Sequence, residues 1–251
     1  MIIADVHCHL DFFDDLQIDE ILKRAGENNV KAAITNGVDQ KSNRKALVLS
    51  QKYKMVKAAL GLHPEFIEKF DDKTIKEEIN FIREHKKEIV AVGEIGLDYH
   101  WVKDETLRKR QRELFLMQLE FAKEIKKPVI VHSRDSESEC IEILSSSGIK
   151  NVLMHCFSGG MNLVKECYEK GFMFSIPTNI VKSSHFQKAA EILPLSRILT
   201  ETDAPFLSPY PGKKNEPSFI AETIRKIAEI KKMDPEEVSN AIFSNYQKMF
   251  L

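Results

Sequence analysis

Short apolar runs alternate with longer amphipathic stretches along the whole chain. The runs predict strands at 1–6, 31–36, 55–60, 89–93, 128–132, 151–155, 171–176 and 197–202. Helical spacing fills the gaps near 18–29, 40–52, 72–87, 105–126, 136–147, 161–170 and 183–193. Two more helices are predicted near 217–231 and 234–248. Leu114, Met117, Phe121 and Ile125, for example, share one helical face. Asp234-Pro235-Glu236-Glu237 reads as an N-cap followed by proline and acids in the first turn. Eight strands alternating with helices imply an α/β fold with a parallel sheet, and eight such units suit a closed (β/α)₈ TIM barrel. The longest irregular stretch, 204–216, follows the last strand, where barrel enzymes often place substrate loops.

Bulk properties narrow this picture. A length of 251 residues is close to one barrel domain, so a single domain over 1–251 is expected. No linker, low-complexity tract or short repeat interrupts it. Hydrophobic content of 43% and charged content of 30% are ordinary for a globular chain. The formal net charge is −1, so no global field draws in nucleic acid, and any polyanion must be held by a local patch or a metal. Cys8, Cys140, Cys156 and Cys167 form no Cys-x-x-Cys pair and suggest no disulfide framework. With no leader-like segment and no bilayer-length apolar run, a cytoplasmic protein without membrane contact is expected, and no obligate protein partner is evident.

The chemistry gathers where the apolar runs end. His7 and His9 close the first run, and alternation in a strand points them to one face while Cys8 points away. Later runs finish on Glu94, His132, His155 and Asp203. Ligand-type residues at the C-terminal ends of several barrel strands mark a hydrolytic site. One histidine at a strand end is commonly a bonded rim residue, and one aspartate after a strand is commonly an N-cap. Six such coincidences are much harder to accept. The mixed nitrogen and oxygen set suits Zn²⁺, Mn²⁺, Co²⁺ or Fe. Six ligands exceed the need of one four-coordinate ion, whereas two ions sharing Glu94 would use all six. His7, His9, Glu94 and Asp203 are assigned to one ion, and Glu94, His132 and His155 to the other.

Other residues are open to two readings. His63 either contacts a substrate phosphate or orders its own loop. Arg134 either grips a phosphate with its planar fork or bridges to Asp135 or Glu137. Glu201 shares strand parity with Asp203 and is a candidate to orient a ligand. Lys213 and Lys214 are a loop charge pair, solvated or substrate-binding. Tyr99 or Trp101 is a candidate to stack on a nucleobase. Cys8 and Cys156 are expected in the core, and His85 and His185 on the surface.

The motifs His7-Cys8-His9-Leu10-Asp11, Gly61-Leu62-His63-Pro64 and Gly93-Glu94-Ile95-Gly96-Leu97-Asp98-Tyr99 resemble those of the TatD-type metal-dependent deoxyribonucleases. So do Val131-His132-Ser133-Arg134-Asp135, His155-Cys156-Phe157-Ser158-Gly159 and Glu201-Thr202-Asp203-Ala204-Pro205. The loop Gly212-Lys213-Lys214-Asn215-Glu216-Pro217 fits as well. The resemblance runs the length of the chain. Glu65 and His100 depart from it, standing where many members carry histidine and tyrosine. It implies a TIM-barrel hydrolase of the amidohydrolase superfamily with one or two divalent cations, Mg, Mn, Zn or similar. It further implies hydrolysis of phosphodiesters, chiefly of DNA, often from a 3′ end and with a preference for single strands. Asp203 would take the proton of the attacking water and return it to the leaving oxygen, with Glu94 as the shared carboxylate. Arg134, His63 and Lys213 would meet the substrate. The alternative expectation keeps the site and changes the substrate to an ester, amide or lactone, an aminoacyl-tRNA ester included.

Overall fold

The computed structural model describes residues 1–251. Eight parallel strands pair in chain order: β1 Ile3–Cys8, β2 Val30–Asn36, β3 Val56–Leu60, β4 Ile89–Asp98, β5 Val129–Arg134, β6 Val152–Met154, β7 Met173–Pro177 and β8 Ile198–Glu201. Nine helices surround them: α1 Asp15–Glu27, α2 Gln40–Lys52, α3 Asp72–Glu84, α4 Glu105–Glu124, α5 Glu137–Ser147, α6 Met161–Glu169, α7 Ser184–Ile192, α8 Ile220–Lys231 and α9 Pro235–Phe250. The expected TIM barrel is the fold. No helix is long and apolar enough to cross a membrane.

Local chemistry starts most helices. Asp14 and Asp39 form reciprocal capping boxes with Gln17 and Ser42, and Asp71, Asp104 and Ser183 each accept an N–H of the first turn. Asp234 caps α9 as expected, ahead of Pro235. Inside the barrel, Ala4, Val6, Ala32, Ile34, Ala59, Ala91, Ile130, Leu153 and Leu199 pack together, and Tyr246 and Phe250 of α9 join them. Larger apolar side chains fill the layer between strands and helices.

The barrel closes at the seam between β8 and β1, beside the candidate ligands. Asp203 N–H donates to His7 O at 2.8 Å, and His9 N–H donates to Ala204 O at 2.8 Å. Asp5, wholly buried, accepts the Thr202 hydroxyl at 2.6 Å and the Thr202 N–H at 3.0 Å. These bonds satisfy polar groups that an open edge would leave unpaired.

Several boundaries differ from expectation. β4 runs to Asp98, not to residue 93, because Gly93 and Gly96 permit an approach to β5 that side chains would block. Gly96 pairs with His132 at φ +144°, and a Cβ there would lie 2.0 Å from the His132 carbonyl. This contact sets Glu94 and His132 side by side. Gly96→Ala is therefore expected to cost about 3 kcal/mol of stability, from overpacking plus a conformation that alanine rarely adopts. Thermal unfolding checks this, and a variant that melts with the parent would show that the two strands can part without loss. β8 ends at Glu201, so the strand parity proposed between Glu201 and Asp203 does not continue. Asp203 instead occupies a left-handed turn at φ +56°, a region that aspartate tolerates. No helix begins after it until the turn at Pro217–Phe219, so it is not an N-cap.

Candidate metal centre

The six predicted residues meet at the C-terminal mouth of the barrel. His7 and His9 present Nε2 atoms 3.1 Å apart, and each lies 3.4 Å from Glu94 Oε2. Asp203 Oδ1 is 3.7 Å from His7 Nε2 and 3.5 Å from His9 Nε2. The other Glu94 oxygen, Oε1, faces His132 Nδ1 at 2.9 Å and His155 Nε2 at 3.2 Å. Glu94 thus offers one oxygen to each of two groups. His63 also enters, with Nε2 3.3 Å from Glu94 Oε1.

Outward bonds decide which ring atom points inward. His9 Nδ1 bonds to Asn36 O at 2.9 Å. His155 Nδ1 bonds to Glu201 at 3.0 Å, and Glu201 also accepts the Ser175 hydroxyl at 2.5 Å. His132 is turned the other way: its Nε2 bonds to Asp98 at 2.8 Å and its Nδ1 faces Glu94. A partner on the far nitrogen fixes tautomer and ring orientation, as at metal-binding histidines generally. His7 has no such partner; its Nδ1 is buried and unbonded. His63 differs in kind. Its Nδ1 accepts the Glu65 N–H at 3.2 Å, so the neutral ring carries its proton on Nε2 and points a donor at the centre. Burial favours that neutral form by lowering its pKa.

The electrostatics follow from burial and crowding. Burial works to raise the Glu94 carboxyl, but His63, His7 and His155 outweigh it and hold Glu94 well below the usual carboxylate range. Burial, with His155 alongside, drives His7 down to about 3. It also pulls His9 down, but Asp203 and Glu94 prevail and push His9 up to about 10. Asp98 and Glu94 likewise overcome burial at His132, which rises to about 9. Protons on His9 and His132 balance the carboxylates, and a bound divalent cation would take over that role. His7, His9 and Glu94 present donor atoms close enough to converge on an ion, whereas His63, equally close to Glu94 and His132, turns an N–H toward them. With ring nitrogens already turned inward, the donor set fits a divalent metal.

A cleft of about 310 Å³ opens over this cluster, lined by His9, His63, Glu94, His132, His155 and Asp203 together with Arg134 and Asp98. Arg134 is exposed and makes no ion pair with Asp135 or Glu137; its guanidinium carbon lies 5.5 Å from the Trp101 ring centre. Lys213 is exposed in the last loop, 5.7 Å from the Tyr210 ring centre, and does not line the cleft. Tyr99 is also absent from the cleft; it is half-buried, and its hydroxyl donates to Glu139 at 2.6 Å. Cys8 is core, as expected, whereas Cys156 is half-buried in the turn after β6. His85 and His185 are half-buried rather than free on the surface, each bonded to a backbone carbonyl.

Sequence reasoning gave no role to Asp98, Asn36 or Asp5. Asp98 had a usable signal, since it shares strand parity with Glu94, but ending β4 at residue 93 concealed it. Asp5 likewise shares the parity of His7.

Known proteins resemble this chain over nearly its whole length. A family model described as TatD related DNase matches residues 4–251. An uncharacterized metal-dependent hydrolase of Methanocaldococcus jannaschii is 39% identical over 248 residues, covering 98% of this chain and 96% of the relative. Deoxyribonuclease TATDN3 of Homo sapiens is 33% identical over 258 residues, covering 99% of this chain and 94% of the relative. The crystal structure of the Escherichia coli TatD homologue YJJV matches with a TM-score of 0.90 at 29% identity, covering 99% of this chain and 97% of that one. Matched along nearly its whole length in sequence and in fold, this chain belongs to the TatD family of metal-dependent hydrolases.

Proposed function

We propose that the centre hydrolyses phosphodiester bonds of DNA, working from the 3′ end of single strands. The division of Glu94 carries this reading: Oε2 faces His7 and His9, and Oε1 faces His132 and His155. A carboxylate so divided can serve two cations, and paired cations suit displacement at phosphorus. The name of human TATDN3 supports a nucleic-acid substrate. His7, His9, Glu94 and Asp203 would hold one ion, and Glu94, His132 and His155 the other. Zn or Mn fits the nitrogen-rich donors better than Mg does. When bound, divalent metal supplies Lewis acidity, which makes water a nucleophile near neutral pH and offsets charge on the phosphoryl oxygens.

The side chains do the rest. Asp203 accepts the proton of the attacking water and returns it to the leaving oxygen. His63, a neutral donor, hydrogen-bonds a phosphoryl oxygen. Arg134, without a carboxylate partner, offers its fork to a phosphate of the strand. Lys213, farther out, contributes a point charge to the strand beyond the cleft.

End-labelled single-stranded oligonucleotides test this. Extensive chelation is expected to abolish cleavage, and an added divalent ion to restore it. Full turnover by metal-free protein would end the metal mechanism. Intact oligonucleotides alongside hydrolysis of a charged tRNA or a lactone would move the assignment to the ester or amide substrates.

A further inference from the structure

Four aromatic side chains line the same cleft: Phe12, Phe66, Trp101 and Phe206. Phe12 is 50% exposed, Trp101 60% and Phe206 50%, which is unusual for rings gathered around a charged centre. Each ring sits three residues beyond a residue of the centre, and its backbone N–H reaches back to that residue. Phe12 N–H donates to His9 O at 3.3 Å, Phe66 N–H to His63 O at 3.2 Å, and Phe206 N–H to Asp203 O at 2.8 Å. Trp101 N–H donates to the Asp98 carboxylate at 2.7 Å. Four separate loops therefore repeat one device, a short turn that hangs a ring from the site itself. Two of the rings carry cations, Arg134 beside Trp101 and Lys69 Nζ 4.5 Å from the Phe66 ring centre. Phe12 and Phe206 meet edge to face with centroids 5.7 Å apart.

We infer that these rings form a collar that stacks the unpaired bases flanking the phosphate held at the centre. The inference rests on the phosphodiester reading and adds the residues that select the strand. A chain of net charge −1 cannot rely on general attraction to a polyanion. Stacking supplies affinity that is independent of charge and tolerant of sequence, because every base has a π-face. A base inside a duplex has both faces covered and a terminal pair leaves only one free, so an unpaired end offers the collar the most stacking surface. The anchors give it register, since each ring is tied by a hydrogen bond to a residue three positions earlier at the centre.

The test compares a normal oligonucleotide with one whose two 3′-terminal nucleotides are abasic, which keeps every phosphate. The parent is expected to cleave the base-bearing end at least about 10-fold more efficiently in kcat/KM, chiefly through KM. In W101A/F206A that ratio should fall close to one. Phe206→Tyr, which keeps a flat ring, should retain the preference, whereas Phe206→Leu, which keeps only bulk, should lose it. Equal cleavage of both ends by the parent would overturn the collar and leave the phosphodiesterase intact. Cleavage of neither, with turnover of a carboxylic ester instead, would overturn the underlying reading and the collar with it.

Discussion

Glu94→Ala is expected to reduce hydrolysis by on the order of 10³-fold or more and to remove stoichiometric metal from the protein. No other side chain touches so much of the centre. One Glu94 oxygen lies 3.4 Å from both His7 and His9, and the other faces His132, His155 and His63. Alanine removes the anion common to both groups and leaves buried histidines crowded without their central counter-charge. His155→Ala provides the contrast. It removes one nitrogen on the Oε1 side and the ring stacked on His7 at 3.7 Å, but keeps the His7, His9 and Glu94 Oε2 donors, so it should weaken one ion more than the other. Metal content after dialysis, measured on both variants and the parent, reads the difference. Two tightly held ions in Glu94→Ala would overturn the shared-carboxylate assignment.

Asp203→Asn is expected to lower kcat by about 10²–10⁴-fold while the fold persists. The side chain reaches the cluster from the left-handed turn after β8, and asparagine also tolerates that conformation. The loss is therefore chemical. Burial works to raise the Asp203 carboxyl, but the bond from His9 and the charge of His155 outweigh it and keep it below its ordinary value. It is ionised across the neutral range and ready to take a proton. Asparagine takes none, so the acid limb of the rate profile that Asp203 contributes should vanish along with the rate. Stopped-time assays across pH, with circular dichroism on the same samples, separate chemistry from folding. Near-parent kcat in a folded Asp203→Asn would remove the base role from Asp203.

The residues above could be named from the chain alone because barrel strands are short, buried and apolar, so a charged residue near the end of one is conspicuous. His7, Glu94, His132, His155 and Asp203 each interrupt or follow such a run. Their convergence is a consequence of topology. Once eight parallel strands close, their C-terminal ends point to one mouth whatever their separation in sequence. The supporting shell was harder to read. Asp98 was hidden because glycines ordinarily end strands, yet Gly93 and Gly96 here let β4 continue against β5.

The sequence by itself determined the order of strands and helices, the barrel they imply, and the side chains that meet at its mouth. Periodicity and strand-end chemistry are local, and local patterns survive in a linear string. Only the tertiary structure decided which atom of each side chain faces which neighbour. It turned His132 inward through Nδ1 and His155 through Nε2, because Asp98 and Glu201 hold the opposite nitrogens. It made His63 a donor, because Glu65 N–H occupies the other ring nitrogen. It brought four rings from four loops around one cleft and left Tyr99 outside it. These choices depend on hydrogen bonds and packing between residues far apart in the chain, and side-chain orientation is fixed only when those partners arrive.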